Sequence, residues 1–245
     1  MRVNGGAIMD NNTVFQRIEK KYLLTPKAYR RLTQKLDEYM VQDQYGLHTI
    51  TSVYFDTDDY ELIRTSVQKP LFKEKMRLRW YGVPKPDDDL FLELKRKYRG
   101  VVYKRRIAVS YPQAEQILRC DDSLMQDGQI AREMDWFIRR YSPAPKLLLA
   151  YDREAYQGRE DDALRVTFDH NIRWRSHNFA LSQGSWGTQL LGEDRVLMEI
   201  KAFGSLPIWL ASLLAEEHIY PSSFSKYGTW YQQVFLQKGL TQRVG

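Results

Sequence analysis

Acidic and basic side chains recur together along this chain at a spacing of two residues. The motif Glu-x-Lys occurs in three segments with strand-like alternation, as Glu19/Lys21, Glu93/Lys95 and Glu199/Lys201. Because residues two apart on a β-strand point to the same face, each motif places a carboxylate beside an ammonium group. Ammonium groups bind phosphate oxygens, and carboxylates bind divalent metal ions. The recurrence indicates a phosphate-binding site assembled from several strands.

Other segments show the same alternation of polar and apolar positions. In segment 75–81 one face is basic and the other apolar, with Lys75, Arg77 and Arg79 opposite Met76, Leu78 and Trp80. Further polar faces contain Lys104/Arg106, Tyr151/Arg153 and Arg165/Thr167/Asp169. A polar face on a single strand commonly meets water. The whole set instead favours one shared polar surface.

The elements that would position these residues are mostly strands. Alternation and turn signals predict eight strands, at 15–24, 48–55, 75–81, 90–97, 101–110, 147–156, 164–174 and 196–203. Helices are predicted from Pro26 to about Met40, near 60–65, within 112–140 with Ser123 as a cap, and at 206–217 and 223–237. Residues 184–192 are predicted to form a loop. The pattern predicts an α+β fold: an antiparallel eight-stranded β-barrel with a charged lumen, coated by α-helices.

A lumen of this kind would hold many cations and few carboxylates. Like charges repel strongly where water is scarce, so we expect the lumen to bind a polyanion such as triphosphate or polyphosphate. A basic nucleic-acid-binding surface is the alternative reading of the same charge.

The composition limits the other possibilities. The chain has 245 residues, a net charge of +6, one cysteine and 43% hydrophobic residues, typical of a globular protein in a reducing compartment. We expect residues 1–12 to form a disordered leader, 13–245 to form one domain, and the location to be cytoplasmic, without a signal peptide or membrane span. The four histidines and Cys120 do not cluster in the sequence, so a zinc site is not expected. No P-loop or Rossmann glycine motif is present.

Six motifs in order along the chain resemble a known family. They are Arg17-x-Glu19-x-Lys21-Tyr22-Leu23, Arg77-Leu78-Arg79-Trp80-Tyr81-Gly82, Glu93-Leu94-Lys95, Tyr151-x-Arg153, Glu199-x-Lys201 and Ser225-Lys226-Tyr227-Gly228. Together they resemble the VTC (vacuolar transporter chaperone) domain, the polyphosphate polymerase branch of the triphosphate tunnel, or CYTH-like, superfamily. The resemblance covers about residues 13–237.

The resemblance implies a role for particular residues. Phosphate binding is implied for Lys21, Arg77, Arg79, Lys95, Lys104, Tyr151, Arg153, Arg165, Lys201 and Lys226. Within this set, a catalytic role is implied for Arg77, Arg79, Lys201 and Lys226. Glu199, and more weakly Glu19, would hold Mn²⁺ or Mg²⁺. Lys226 is expected beside a helix start rather than in a strand.

The resemblance also implies a reaction and its partners. The expected activity is transfer of the γ-phosphoryl group of ATP to a growing polyphosphate chain. Tunnel hydrolases typically begin with Glu-x-Glu-x-Lys, and Arg17 at the first of these positions favours the polymerase. A triphosphatase, a nucleotide cyclase and a polyphosphate sensor remain open. The expected partners are ATP and polyphosphate or triphosphate, without a specific nucleic acid. A membrane-protein partner is left open, because relatives are associated with such proteins.

Overall fold

A computed structural model describes residues 17–120, 127–192 and 195–237. The strands of these ranges are β1 (Arg17–Leu24), β2 (Met40–Gln42), β3 (His48–Asp56), β4 (Phe72–Tyr81), β5 (Leu90–Tyr98), β6 (Val101–Val109), β7 (Ala144–Gly158), β8 (Arg165–Arg175), β9 (Thr188–Gln189) and β10 (Val196–Phe203). The helices are α1 (Pro26–Leu36), α2 (Glu61–Val67), α3 (Tyr111–Arg119), α4 (Gln129–Tyr141), α5 (Ile208–Glu216) and α6 (Lys226–Trp230). The predicted leader lies outside the described residues.

The strands form one antiparallel sheet. Its order is β1-β10-β8-β7-β3-β4-β5-β6, and the short strands β2 and β9 add to β7 and β8. The predicted α+β class and its eight main strands are confirmed. The sheet curls, since Lys21 of β1 and Lys75 of β4, which are far apart in this order, donate to the adjacent residues Phe224 and Ser225.

The curled sheet is not closed by a ladder. Among the described strands no backbone pairing joins β6 to β1. Along β6 the inward side chains of Lys104 and Arg106 are 46% and 36% exposed. The open seam therefore keeps these cations partly hydrated, which lowers the cost of placing so many charges on one face.

Helices cover the outer face, as predicted. Against β4 and β5, α3 and α4 contribute Leu118 and Phe137 to a cluster that contains Leu78 and Leu92. At the other end of the strand order, α1 and α5 pack on the outer face of β1, β8 and β10 through a second apolar cluster. No described helix has the length and apolarity needed to cross a bilayer.

The inner face is not charged throughout, which corrects the expected uniform lining. Leu147 and Leu149 alternate with the outward Leu148 on β7, and they pack with Tyr227 and Trp230. The segment around α6 therefore lies on the inner side and covers an apolar part of the sheet. The alternation on β7 did not reveal this, because a continuous apolar run shows no polar face.

Two predicted helix boundaries are wrong, and one predicted helical section is resolved into two helices. Helix α1 ends at Leu36 and Met40 begins β2, because Met40 pairs with Gly158 of β7. The predicted helical section 112–140 contains two helices, α3 and α4, and its predicted cap Ser123 lies outside the described residues. The predicted helix 223–237 begins at Lys226 and passes from α6 into a π-helical turn at Tyr231–Phe235.

Candidate functional site

Three cationic side chains contact Glu93 of β5 at the inner face. Its carboxylate accepts from Arg77 of β4 at 2.7 Å and contacts Lys104 of β6 at 2.7 Å. Arg106, two residues further along β6, donates to the same carboxylate at 2.7 Å. Burial opposes its charge, but Arg77 and Arg79 outweigh burial and hold the pKa of Glu93 well below its usual range. The carboxylate therefore stays ionised and keeps the three side chains together.

Asp169 on β8 organises the opposite side of the lumen. It is completely buried, and Arg153 of β7 donates to both of its oxygens at 2.6 and 2.9 Å. Lys226 donates to the same carboxylate. Ser225 caps α6 by accepting from the Gly228 amide at 3.3 Å, which fixes Lys226 at the first helical position. The prediction that Lys226 lies at a helix start is confirmed, and its side chain points inward.

The third group of charges lies on the adjacent strands β1 and β10. Glu199 contacts Lys201 at 2.8 Å and Lys21 at 3.7 Å, and Glu19 contacts Lys21 at 3.4 Å. Burial disfavours the charge of Glu199, but Lys201 and Lys21 outweigh it and lower its pKa to about 2. For Lys21, burial lowers the pKa, yet Glu199 and Glu19 produce a net rise.

Two tyrosine hydroxyls position the arginines of β4. Arg79 donates to Tyr151 at 3.2 Å, and Arg77 donates to Tyr54 of β3 at 3.1 Å. The Tyr151 ring also faces Lys226, whose Nζ lies 4.2 Å from the ring centroid. Burial opposes ionisation of Tyr54, but Arg77 and Arg79 outweigh it and lower the pKa of Tyr54 to about 8. Both tyrosines therefore belong to the cationic surface.

Some cations of this surface have no carboxylate partner among the described residues. Arg79 bonds to the hydroxyls of Ser52 and Tyr151, and Lys75 donates to the hydroxyl of Ser225 at 3.3 Å. Burial lowers the pKa of Lys75 to about 8, and the neighbouring Lys73 and Lys95 add to that shift while Tyr54 opposes it. These side chains keep N–H donors that a phosphate group could use.

The structure brings together all but one of the residues expected to bind phosphate. Arg165 shares the inner-face register with Lys201 but lies at the end of β8, where it is 51% exposed and 3.6 Å from Asp43. Lys75, Glu93 and Asp169 lie on faces that were predicted to be polar, but they were given no binding role, and Tyr54 was not singled out at all. Alternation within β3 could have identified Tyr54, which shares a face with Ser52. The pairing of Asp169 with Lys226 is long-range and leaves no local signal.

The two glutamates expected to bind metal lie together. Glu19 lies on β1 and Glu199 on the adjacent strand β10, and both contact Lys21 of β1. In the described part of the chain no three His, Cys, Asp or Glu side chains form a metal-binding group. Mg²⁺ is often bound through one or two carboxylates together with substrate phosphates and water. The donor set therefore fits a cation shared with phosphate rather than one enclosed by protein ligands.

The comparisons with known proteins agree with this geometry. A model of the VTC domain matches residues 16–235. Vacuolar transporter chaperone complex subunit 4 of Schizosaccharomyces pombe is 25% identical over 145 residues, covering 50% of this chain and 20% of that protein. The protein of the same name from Trypanosoma brucei brucei is 24% identical over 213 residues, covering 69% and 27%. This chain thus spans 20% and 27% of the length of these curated relatives.

A solved structure has the same fold. It is described as a putative adenylyl cyclase from Hippeastrum that reveals a dominant triphosphatase activity, and it matches with a TM-score of 0.53 at 17% identity. The match covers 89% of this chain and 96% of that one. The two chains therefore share their overall fold. Because the family model spans every strand and helix described above, the chain belongs to the VTC domain family.

Proposed function

We propose that this domain is a metal-dependent polyphosphate polymerase, which transfers the γ-phosphoryl group of ATP to a growing polyphosphate chain. The observation that carries the proposal is the excess of cations on the inner face. Lys75, Arg79 and Lys95 form no described ion pair, while neighbouring cations are held in place by carboxylates. Such a surface suits a linear polyanion. The name of the two curated relatives also supports a vacuolar transporter chaperone type of function.

In this proposal the chain's own residues bind and align two phosphates. Arg77 and Arg79 hold the triphosphate of ATP and stabilise the charge that develops on the transferred group. Lys201 and Lys226 add to that neutralisation. A terminal oxygen of the acceptor chain forms the new P–O bond as the bond between the γ-phosphorus and its bridging oxygen breaks, and ADP leaves. Glu199, with Glu19, would hold Mn²⁺ or Mg²⁺, which supplies charge neutralisation when bound.

Incubation with ATP and Mn²⁺ tests the proposed reaction. A ladder of phosphate chains resolved on a gel, together with ADP, is the expected product. If free phosphate or tripolyphosphate is the product, the domain is a triphosphatase rather than a polymerase. A cyclic nucleotide as the product would indicate a cyclase, and tight binding of ATP without any product would indicate a sensor. The Glu199→Gln variant keeps the shape of this side chain and removes its charge. If that variant retains full Mn²⁺-dependent activity, Glu199 does not bind the metal ion.

Tripolyphosphate is expected to stabilise the fold. A ligand that binds only the folded state at about one hundred times its Kd adds about 2.7 kcal/mol, and the melting temperature should rise by several degrees at low salt. Sulfate at equal charge concentration serves as the control, since it lacks the linked phosphates. If a short DNA oligonucleotide raises the melting temperature as much, and Lys201→Ala changes neither response, a nucleic-acid-binding surface replaces the proposed site.

A further inference from the structure

Lysines face each other directly across two neighbouring rungs of the β4–β5 ladder. Lys75 pairs with Lys95, and Lys73 pairs with Lys97. All four occupy the same register face as Arg77 and Glu93, which places them on the inner side of the sheet. Directly opposed like charges destabilise an antiparallel pair. Strand pairing alone does not explain why two consecutive residue pairs of the ladder are both lysine pairs, so these lysines are expected to have another role.

The outer rung lacks counter-charges within the described part of the chain. Lys73 donates to the backbone carbonyl of Ser66 at 3.3 Å, and no ion pair is formed by Lys73, Lys97 or the nearby Lys69. Burial lowers the pKa of Lys73, and the positive charges of Lys97, Lys69 and Lys95 lower it further. The three lysines thus form a concentrated positive surface that no ion pair within residues 17–120, 127–192 and 195–237 neutralises.

The position of this rung continues the site described above. Phe72 and Tyr98, the next partners along the ladder, are the terminal residues of β4 and β5. Lys73 and Lys97 therefore lie one residue from the strand ends, beside the Arg99–Gly100 turn. Moving outward, the inner face presents the rung Lys75–Lys95 and then the rung Lys73–Lys97. Residues two apart on a strand are about 6–7 Å apart, so each rung meets a different part of an extended chain.

We propose that Lys73 and Lys97, together with Lys69, form an outer subsite for a linear polyanion that extends from the inner site past the ends of β4 and β5. This inference rests on the proposed function and specifies its substrate: a chain longer than a triphosphate, leading out of the site over this rim. The inner residues hold the reacting phosphates, and the outer lysines hold phosphates further along the same chain.

The test compares a short and a long phosphate chain as ligands. Lys73→Gln/Lys97→Gln removes the outer rung, and Lys27→Gln/Lys85→Gln removes the same charge from exposed positions on α1 and in the turn at the opposite ends of β4 and β5. Binding of tripolyphosphate and of a long-chain polyphosphate is measured for each variant and the wild type over a series of salt concentrations. Thermal melting shows that each variant is folded.

Loss confined to the long chain is the expected result. The rung variant should bind long-chain polyphosphate about tenfold more weakly, with a salt dependence shallower by about one unit, and should bind tripolyphosphate within about twofold of wild type. The control variant should change neither affinity appreciably. Equal losses for both ligands, no loss, or an equal loss in the control would each overturn the subsite. Wild-type protein that binds neither ligand would overturn the proposed function as well, whereas equal wild-type affinity for both chains would overturn the subsite alone.

Discussion

Replacing Arg77 by alanine is expected to lower the rate of phosphate-chain synthesis by about 100-fold or more. Arg77 lies between Glu93 and Tyr54, and these contacts fix its guanidinium on the inner face next to Arg79. A guanidinium held in place before the reaction stabilises transition-state charge without a cost of reorganisation. Its removal should therefore reduce kcat more than the binding of ATP. Steady-state rates of ADP release and of polyphosphate formation measure the effect.

The fold should survive this substitution. Without Arg77, Glu93 keeps its contacts with Lys104 and Arg106, so the buried carboxylate is not left alone. Arg105→Ala is the matched control, because Arg105 lies on the outer side of β6 and bonds to Glu133 of α4. A well-folded Arg77→Ala protein with turnover close to wild type would refute the assignment of the reaction to this surface.

Asp169→Asn is expected to produce the largest loss of stability. The carboxylate is fully buried and is shared by Arg153 and Lys226. Removing one partner of a buried ion pair leaves uncompensated charge and costs about 3–5 kcal/mol. For a domain of this size we expect a fall of about 10 °C in melting temperature. Activity should fall too, because Lys226 loses the group that holds it against Tyr151.

Two comparisons separate this effect from a general loss of charge. Asp87→Asn, in the exposed turn between β4 and β5, should leave the melting temperature nearly unchanged. Adding Lys226→Met to Asp169→Asn should restore part of the stability, because it removes one of the two unpaired cations. Strictly additive losses in the double variant would show that Asp169 and Lys226 are not coupled.

The same carboxylate gives the stability a pH dependence. Burial opposes the charge of Asp169, but Lys226 and Arg153 outweigh it, and its pKa in the folded protein lies below the ordinary value. A group with a depressed pKa stabilises the fold above its unfolded-state pKa of about 4. That contribution is lost as the pH falls through the lower, folded-state pKa. The stability of Asp169→Asn should therefore depend less steeply on acidic pH than that of the wild type.

The sequence by itself determined which side chains share a face. Alternation in β4 separates Lys75, Arg77 and Arg79 from the apolar positions, and the structure keeps that separation. Side-chain alternation is a property of the extended backbone, so it can be predicted without knowing the partner of a strand. The ordered motifs likewise predicted the family, and the eight main strands follow from local patterns of polar and apolar residues.

Tertiary structure alone decided which of these residues meet. Register placed Lys73 opposite Lys97, and the curl of the sheet brought Lys21 of β1 and Lys75 of β4 to the same segment at residues 224–225. The inward turn of α6 brought Lys226 to Asp169, 57 positions earlier in the chain. Arg165, which shares a predicted polar face with Thr167 and Asp169, lies at the end of its strand. Periodicity predicts which face of the sheet a side chain lies on. It does not predict which residues of neighbouring strands lie opposite each other, or how far apart two strands are across the lumen, because these depend on strand pairing and sheet curvature.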